Sequence, residues 1–299
     1  MYRIPENGQF YGNEFLVEEY TGTDIIMEWP VDMLSGTYQQ STITARLRHY
    51  STRPMDKKKF NDLTTIPAPE SATLTDFSLG FEIKKQRPWR DNVIHPLDGS
   101  GLKLEFTGSE RILGSDRTYL ETDLSAFTIL PLVGMSRIYL HSRLQMQWGN
   151  QLPQNFIGFP RYDNISLNVL EDVPLRFFGD NERVRGFREF VSGSKTIFGS
   201  LEYRVPFIKS LNTEILGFFS LGATNIALFT DFGVVYDGVT SSGTAGTLKR
   251  WGTGGELKNN IRLFGINFTH ALGIAQPSDK LFGNGNEDIY YRIKTVVPF

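Results

Sequence analysis

One alternation limits what this chain can become. Between Met135 and Trp148, Ile138, Leu140, Leu144, Met146 and Trp148 fall on one side of an extended backbone, and Arg137, Tyr139, His141, Arg143, Gln145 and Gln147 fall on the other, because strand side chains alternate with period two. A face holding two arginines, a histidine and two glutamines is too polar for a dry core, where every charge needs a partner. It suits a water-filled lumen. This stretch therefore predicts a strand with one apolar and one wetted face.

The pattern recurs along most of the chain. Thr42–Tyr50, Leu74–Lys85, Leu102–Phe106, Leu120–Ala126, Thr196–Phe207, Asn225–Tyr236, Leu257–Leu263, Ile266–Ile274 and Ile289–Phe299 each alternate. Phe15–Tyr20 and Thr23–Val31 are expected to form a hairpin around Thr21-Gly22. Ser51–Ser71, with Lys57-Lys58-Lys59 and several prolines, reads as a long exposed loop. Gly238–Arg250 reads as a Gly/Ser/Thr loop and Phe264-Gly265 as a tight turn. The count is about twelve strands, able to pair antiparallel through alternating short turns and longer loops. Residues 149–194 form a loop of about 45 residues, a length that is rare in a compact domain unless the loop is functional.

No run reaches the ~18 apolar residues of a membrane helix. Spanning by strands requires a closed barrel, since an open sheet edge cannot sit in hydrocarbon. The 23 Phe and 12 Tyr suit the aromatic girdles of such a barrel. The fold class expected is thus all-β, a transmembrane antiparallel β-barrel over residues 1–299 with a long loop inserted in its lumen. Lys and Arg number 31 against 33 Asp and Glu, with no clustered basic patch, which argues against nucleic acid as a partner. The absence of cysteine excludes disulfides and thiolate metal sites. Met1-Tyr2-Arg3-Ile4-Pro5-Glu6 lacks the apolar region of a signal peptide. The expectation is a mature chain or a piece of a longer one.

The chain is organised around Gly179–Asp237. On the first strand after the long loop, Ile197, Leu201, Tyr203, Val205 and Phe207 point one way and Phe198, Ser200, Glu202 and Arg204 the other. On the second, Ile226, Leu228, Phe232, Val234 and Tyr236 share a face, leaving Asp231 and Gly233 opposite. Glu202 and Asp231 therefore fall on the less apolar side of consecutive strands, just after a loop that carries Arg185. An arginine fork matches a carboxylate and gains most where water is excluded. A loop folded back and latched by Arg185 follows.

These residues also carry a resemblance. Val184-Arg185-Gly186-Phe187, then Ser200-Leu201-Glu202-Tyr203, then Phe229-Thr230-Asp231-Phe232-Gly233 resemble, in order and spacing, the loop-six and strand motifs of the BamA/TamA-type outer-membrane insertase superfamily, also called the outer membrane protein 85 or bacterial surface antigen family. The resemblance is strongest from Gly179 to Phe299. It implies that the VRGF loop enters the lumen and that Arg185 pairs with Glu202 and Asp231. It implies a sixteen-stranded barrel of which this chain holds the last twelve strands, without the first four or the periplasmic POTRA repeats. A separate twelve-stranded barrel is the alternative. Tyr291, Ile293, Val297 and Phe299 resemble the C-terminal strand signal by which barrels reach the assembly machinery, although Pro298 departs from it. In the family this last strand pairs weakly with the first, and the seam opens laterally.

The function so implied is assistance to insertion and assembly of outer-membrane proteins, or polypeptide translocation, in the bacterial outer membrane. Implied partners are membrane lipids, unfolded outer-membrane proteins or translocated polypeptide, and periplasmic POTRA-associated or lipoprotein partners. A passive pore, or an anchor for a fused or associated domain such as a patatin-like enzyme, are the other readings. No enzyme and no cofactor are expected. His49, His95, His141 and His270 lack metal-ligand spacing. Ser192-Gly193-Ser194-Lys195-Thr196 lacks the glycine spacing and helix of a phosphate loop, and Gly252-Thr253-Gly254-Gly255 leads into a strand instead of a helix. No Gly-x-Ser-x-Gly elbow occurs. Glu121 and Asp123 are expected to balance inward arginines.

Overall fold

The computed structural model describes residues 2–6, 9–16, 18–31, 39–54, 70–87, 95–152, 157–159, 184–187, 191–208, 213–215, 219–240, 245–263, 266–277 and 288–296. Its strands are β1 (Tyr2–Glu6), β2 (Gln9–Leu16), β3 (Glu18–Pro30), β4 (Gln39–Pro54), β5 (Ala72–Arg87), β6 (Asp98–Ser109), β7 (Tyr119–Pro131), β8 (Arg137–Gly149), β9 (Ile157–Phe159), β10 (Val191–Gly193), β11 (Lys195–Ile208), β12 (Thr213–Ile215), β13 (Phe219–Thr240), β14 (Ala245–Leu263), β15 (Ile266–Pro277) and β16 (Asp288–Val296). Among the described residues, one 3-10 turn, Arg111–Leu113, interrupts them.

Eleven long strands make one antiparallel sheet in the order β16-β15-β14-β13-β11-β8-β7-β6-β5-β4-β3. Every consecutive pair of wall strands in the chain is a neighbour in the sheet, so the wall is an up-and-down meander. Among the described residues no pairing joins β3 to β16, and the sheet is open there. β1 and β2 pair with each other in a separate ribbon.

Two faces run the length of the meander. Met27, Leu47, Leu79, Leu102, Leu120, Leu140, Leu201, Leu228, Leu257, Leu272 and Ile289, one from each wall strand, are exposed on the apolar face. A continuous apolar surface of this extent is foreign to a soluble monomer, whose largest patch covers a few hundred Å². On the polar face, opposite charges meet between neighbouring strands: Arg46 with Asp24, Arg48 with Asp76, and Arg143 with Asp123. Such charges lie where the alternation puts them. A one-residue slip would drive them all to the apolar side, so the register is strongly specified.

The expected hairpin does not form: Glu18–Tyr20 and Thr23–Pro30 belong to one strand, β3, while Phe15 and Leu16 lie at the end of β2. β3 runs straight through Thr21-Gly22, and Gly22 stands opposite Tyr50 of β4, where a Cβ would lie 2.5 Å from the tyrosine's own Cβ. Glycine serves a close approach here, not a turn. Likewise β14 begins at Ala245, so the last six residues of the expected 238–250 loop are already strand, paired from Ala245 with the end of β13. Gly252 to Gly255 lie inside that strand. Phe264-Gly265, Lys57-Lys58-Lys59, Val297, Pro298 and Phe299 lie outside the described residues; Tyr291 and Ile293 lie on β16.

The long loop is closed at its base. β9 pairs with β10, and β10 pairs with the far end of β13 through Val191 opposite Thr240 and Ser192 opposite Val239. Before this ladder, Leu152 is buried among Tyr50, Ala72, Leu74 and Tyr119 of β4, β5 and β7. The loop thus touches the wall on both sides of its stem.

Candidate functional site

The VRGF turn lies against the polar face of β11, β13 and β14. Val184 is buried with Phe159, Val191, Phe198 and Val235, and Phe187 packs against the same cluster with the Arg250 guanidinium 4.9 Å over its ring. Phe187 N–H donates to the Val184 carbonyl at 3.3 Å, closing a tight turn. Gly186 holds φ +95°, a left-handed backbone in which a side chain is strained, and a Cβ there would sit 2.8 Å from the Gln276 backbone of β15. The wall beneath is cut to receive the turn. A Cβ on Gly252 would overlap the Arg185 carbonyl oxygen, and one on Gly233 would come within 2.5 Å of Val184 and Phe159.

Arg185 points from this turn into the wall. Its Nε donates to Asp231 Oδ2 at 2.6 Å and its Nη2 to Asp231 Oδ1 at 2.7 Å, a two-pronged pair. Its backbone N–H also reaches Asp231 Oδ2, at 3.0 Å. Nη1 donates to Glu202 Oε1 at 2.7 Å and lies 3.3 Å from Glu256 Oε2, while Nη2 reaches Ser200 Oγ at 3.1 Å. The guanidinium carbon sits 3.4 Å above the Phe229 ring. Arg185 is 5% exposed and Asp231 0%, so these contacts form where water is excluded and charge attraction is least screened.

More side chains surround this centre. Ser200 Oγ donates to Asp231 Oδ1 at 2.7 Å. Arg204 Nε donates to Glu202 Oε2 at 2.6 Å, and Lys258 Nζ lies 2.9 Å from Glu202 Oε2 and 3.0 Å from Glu256 Oε2. Tyr290 donates its hydroxyl to Glu256 Oε1 at 2.6 Å. Three carboxylates (Asp231, Glu202 and Glu256) thus face three cations (Arg185, Arg204 and Lys258). The balance matters, because an unpaired buried charge costs several kcal/mol on the order of its desolvation.

All four residues of the expected motif and both expected acids are therefore brought together. Glu256, Lys258, Arg204 and Tyr290 join them, and the motif announces none of the four. The signal for the first two lay in period two: Gly252, Gly254, Glu256 and Lys258 share the polar face of β14, two glycines that make room followed by two charges. Arg137, expected on the polar face, is buried there and donates to backbone, Nε to the Leu97 carbonyl at 2.6 Å and Nη1 to the Ser136 carbonyl at 2.7 Å. Asp123 meets Arg143 Nε at 2.7 Å.

Comparison with known proteins places the fold and the family. The crystal structure of BamA from Haemophilus ducreyi lacking POTRA domains 1-3 is similar in fold, with a TM-score of 0.56 at 14% sequence identity, over 94% of this chain and 55% of that one. The chain thus spans about half the length of that relative. No curated protein sequence matches the chain. The sequence profile of the Omp85 superfamily domain, however, matches it from residue 7 to residue 293. On a match that covers nearly its whole length, the chain belongs to the Omp85 superfamily.

Proposed function

We propose that this chain forms the wall of an outer-membrane β-barrel that assists insertion of other β-barrel proteins or passage of polypeptide, with the VRGF turn seated inside as a structural latch. The single observation that carries this reading is the six-charge cluster around Arg185. A loop of about 45 residues loses roughly 1 kcal/mol or more of conformational entropy for each residue it fixes, so a loop held in one place needs strong anchors. Bidentate pairing to Asp231, with Glu202 alongside, is such an anchor.

Family membership supports the class of activity, and the apolar face supports the membrane. Hydrocarbon cannot solvate a free sheet edge, so β3 and β16 must be covered in the bilayer, by each other or by further strands. The polar face, lined by paired charges, is suited to water and to a client chain in transit.

Reconstitution tests the reading. The complete protein in lipid vesicles should accelerate the folding of an urea-unfolded outer-membrane β-barrel added from outside, and Arg185→Ala protein, inserted to the same extent, should be slower by an order of magnitude. Steady ion conductance with no acceleration of folding would favour a passive pore instead. Equal acceleration by Arg185→Ala would remove the latch from the function.

A further inference from the structure

Tyr290 joins the last strand to the loop seat. Tyr290 of β16 stands opposite Gly273 of β15, Gly273 opposite Glu256 of β14, and Glu256 opposite Ala227 of β13, so the four share one row across the sheet. Tyr290 lies along that row. Its ring crosses the whole width of β15 on the polar face and its hydroxyl reaches Glu256 Oε1 at 2.6 Å. Gly273 makes the crossing possible, since a Cβ there would lie 2.5 Å from the Tyr290 hydroxyl oxygen. The flanking polar-face residues of β15, Ala271 and Ala275, are also small.

The ring reaches the latch by a second route. Tyr290 packs with Ala275 and Phe229, and Phe229 is the ring on which the Arg185 guanidinium rests at 3.4 Å. Glu256 in turn lies 3.3 Å from Arg185 Nη1. Among the described residues β16 pairs with β15 alone, which makes it an edge. A tyrosine at the edge strand that is 6% exposed and bound two strands inward is not a girdle residue meeting the interface.

We infer that Tyr290 is a positioning residue that couples the pairing of β16 to the seating of the VRGF turn, so that each state favours the other. This rests on the reading that the Arg185 cluster holds the turn. Moving β16 away from β15 withdraws the hydroxyl from Glu256 and the ring from Phe229 in one step. Two of the groups around Arg185 then lose a neighbour. By linkage, unseating the turn loosens the edge strand by the same factor. The device would let the edge open only as the loop shifts.

Hydrogen exchange on the complete protein in bilayers reads both ends. The Arg185 amide is a direct reporter because it donates to Asp231. Tyr290→Phe should raise exchange at that amide about tenfold, the loss of one hydrogen bond to a charged group. Gly273→Ala keeps the hydroxyl but displaces it and should act alike. Arg185→Ala should speed exchange in the β16 amides 289–293. Unchanged exchange at Arg185 in both Tyr290→Phe and Gly273→Ala, with only β16 faster, would overturn the coupling. Asp231→Asn separates the two ideas. If it frees the Arg185 amide while Tyr290→Phe does not, the seat stands and the coupling falls; if the Arg185 amide exchanges fast already in the unaltered protein, the seat itself is wrong and the coupling with it.

Discussion

Arg185 and Asp231 meet edge to edge, Nε to Oδ2 at 2.6 Å and Nη2 to Oδ1 at 2.7 Å, across 46 residues of sequence. The same carboxylate also accepts the Arg185 backbone N–H, so one acid holds both the side chain and the main chain of the turn. An ammonium could replace the charge but not this geometry. Arg185→Lys should therefore leave the turn mobile nearly as Arg185→Ala does, because a point charge cannot serve Asp231, Glu202 and Ser200 at once.

Removing the arginine leaves three carboxylates facing two cations and takes from Asp231 the cation it pairs with, while Glu202 and Glu256 keep Lys258. Arg185→Ala should destabilise the folded protein by about 3–5 kcal/mol if the cluster stays dry, and by less where lumen water reaches the acids. Asp231→Asn should act in the same direction and more mildly, since an amide still offers one acceptor. Urea unfolding of the vesicle-embedded protein measures both; equal midpoints for all three proteins would contradict the account.

Shape can be separated from charge. Gly252→Ala leaves every charge in place, yet its methyl group would overlap the Arg185 carbonyl oxygen. The turn should lift, exposing 184–187 to protease, while secondary structure stays intact. An unchanged cleavage pattern would show that the wall does not receive the turn as described.

A second buried carboxylate serves as a control. Asp76 of β5 is 1% exposed and accepts from Tyr119 Oη and Arg48 Nη2, each at 2.6 Å. It shares none of these partners with the Arg185 cluster. Asp76→Asn should cost about 1–3 kcal/mol of stability, and the loss should add to that of Arg185→Ala, as for independent sites. Strong non-additivity in the double variant would contradict the independence of the two sites.

Acid should find one further weak point. His95, in the connection between β5 and β6, is fully buried with Nε2 2.8 Å from the Met135 carbonyl. Burial lowers its imidazole to about 4 from the ordinary 6.5, with the Met135 hydrogen bond opposing and the Arg204 and Arg137 cations adding to the drop. The fold holds the ring neutral, whereas the unfolded chain protonates it. Its contribution is full above 6.5 and is lost as pH falls through that value towards 4. The stability of the unaltered protein relative to His95→Gln should fall over that window; parallel pH curves would refute it.

Much of the wall was legible because period two is a one-dimensional signal. β8, β11 and β13 each set an apolar file against a polar one, and Glu202 and Asp231 could be placed on one side without knowing any pairing. What failed were features that depend on register. Thr21-Gly22 has the composition of a turn, but Gly22 is small because Tyr50 lies across from it. Tyr290 and Glu256 are 34 residues apart and meet only because Gly273 intervenes between them. No local pattern announces such a row.

The seat of the turn can be probed with a single thiol, because the chain has no cysteine of its own. Val184 is 2% exposed, beside the residue that makes the latch. Val184→Cys in the complete membrane-embedded protein should resist a membrane-impermeant maleimide, with labelling at least an order of magnitude slower than in urea. Adding Arg185→Ala should bring the rate close to that of the unfolded chain. Rapid labelling of Val184→Cys with Arg185 intact would contradict the central claim, that this arginine holds the turn against the wall.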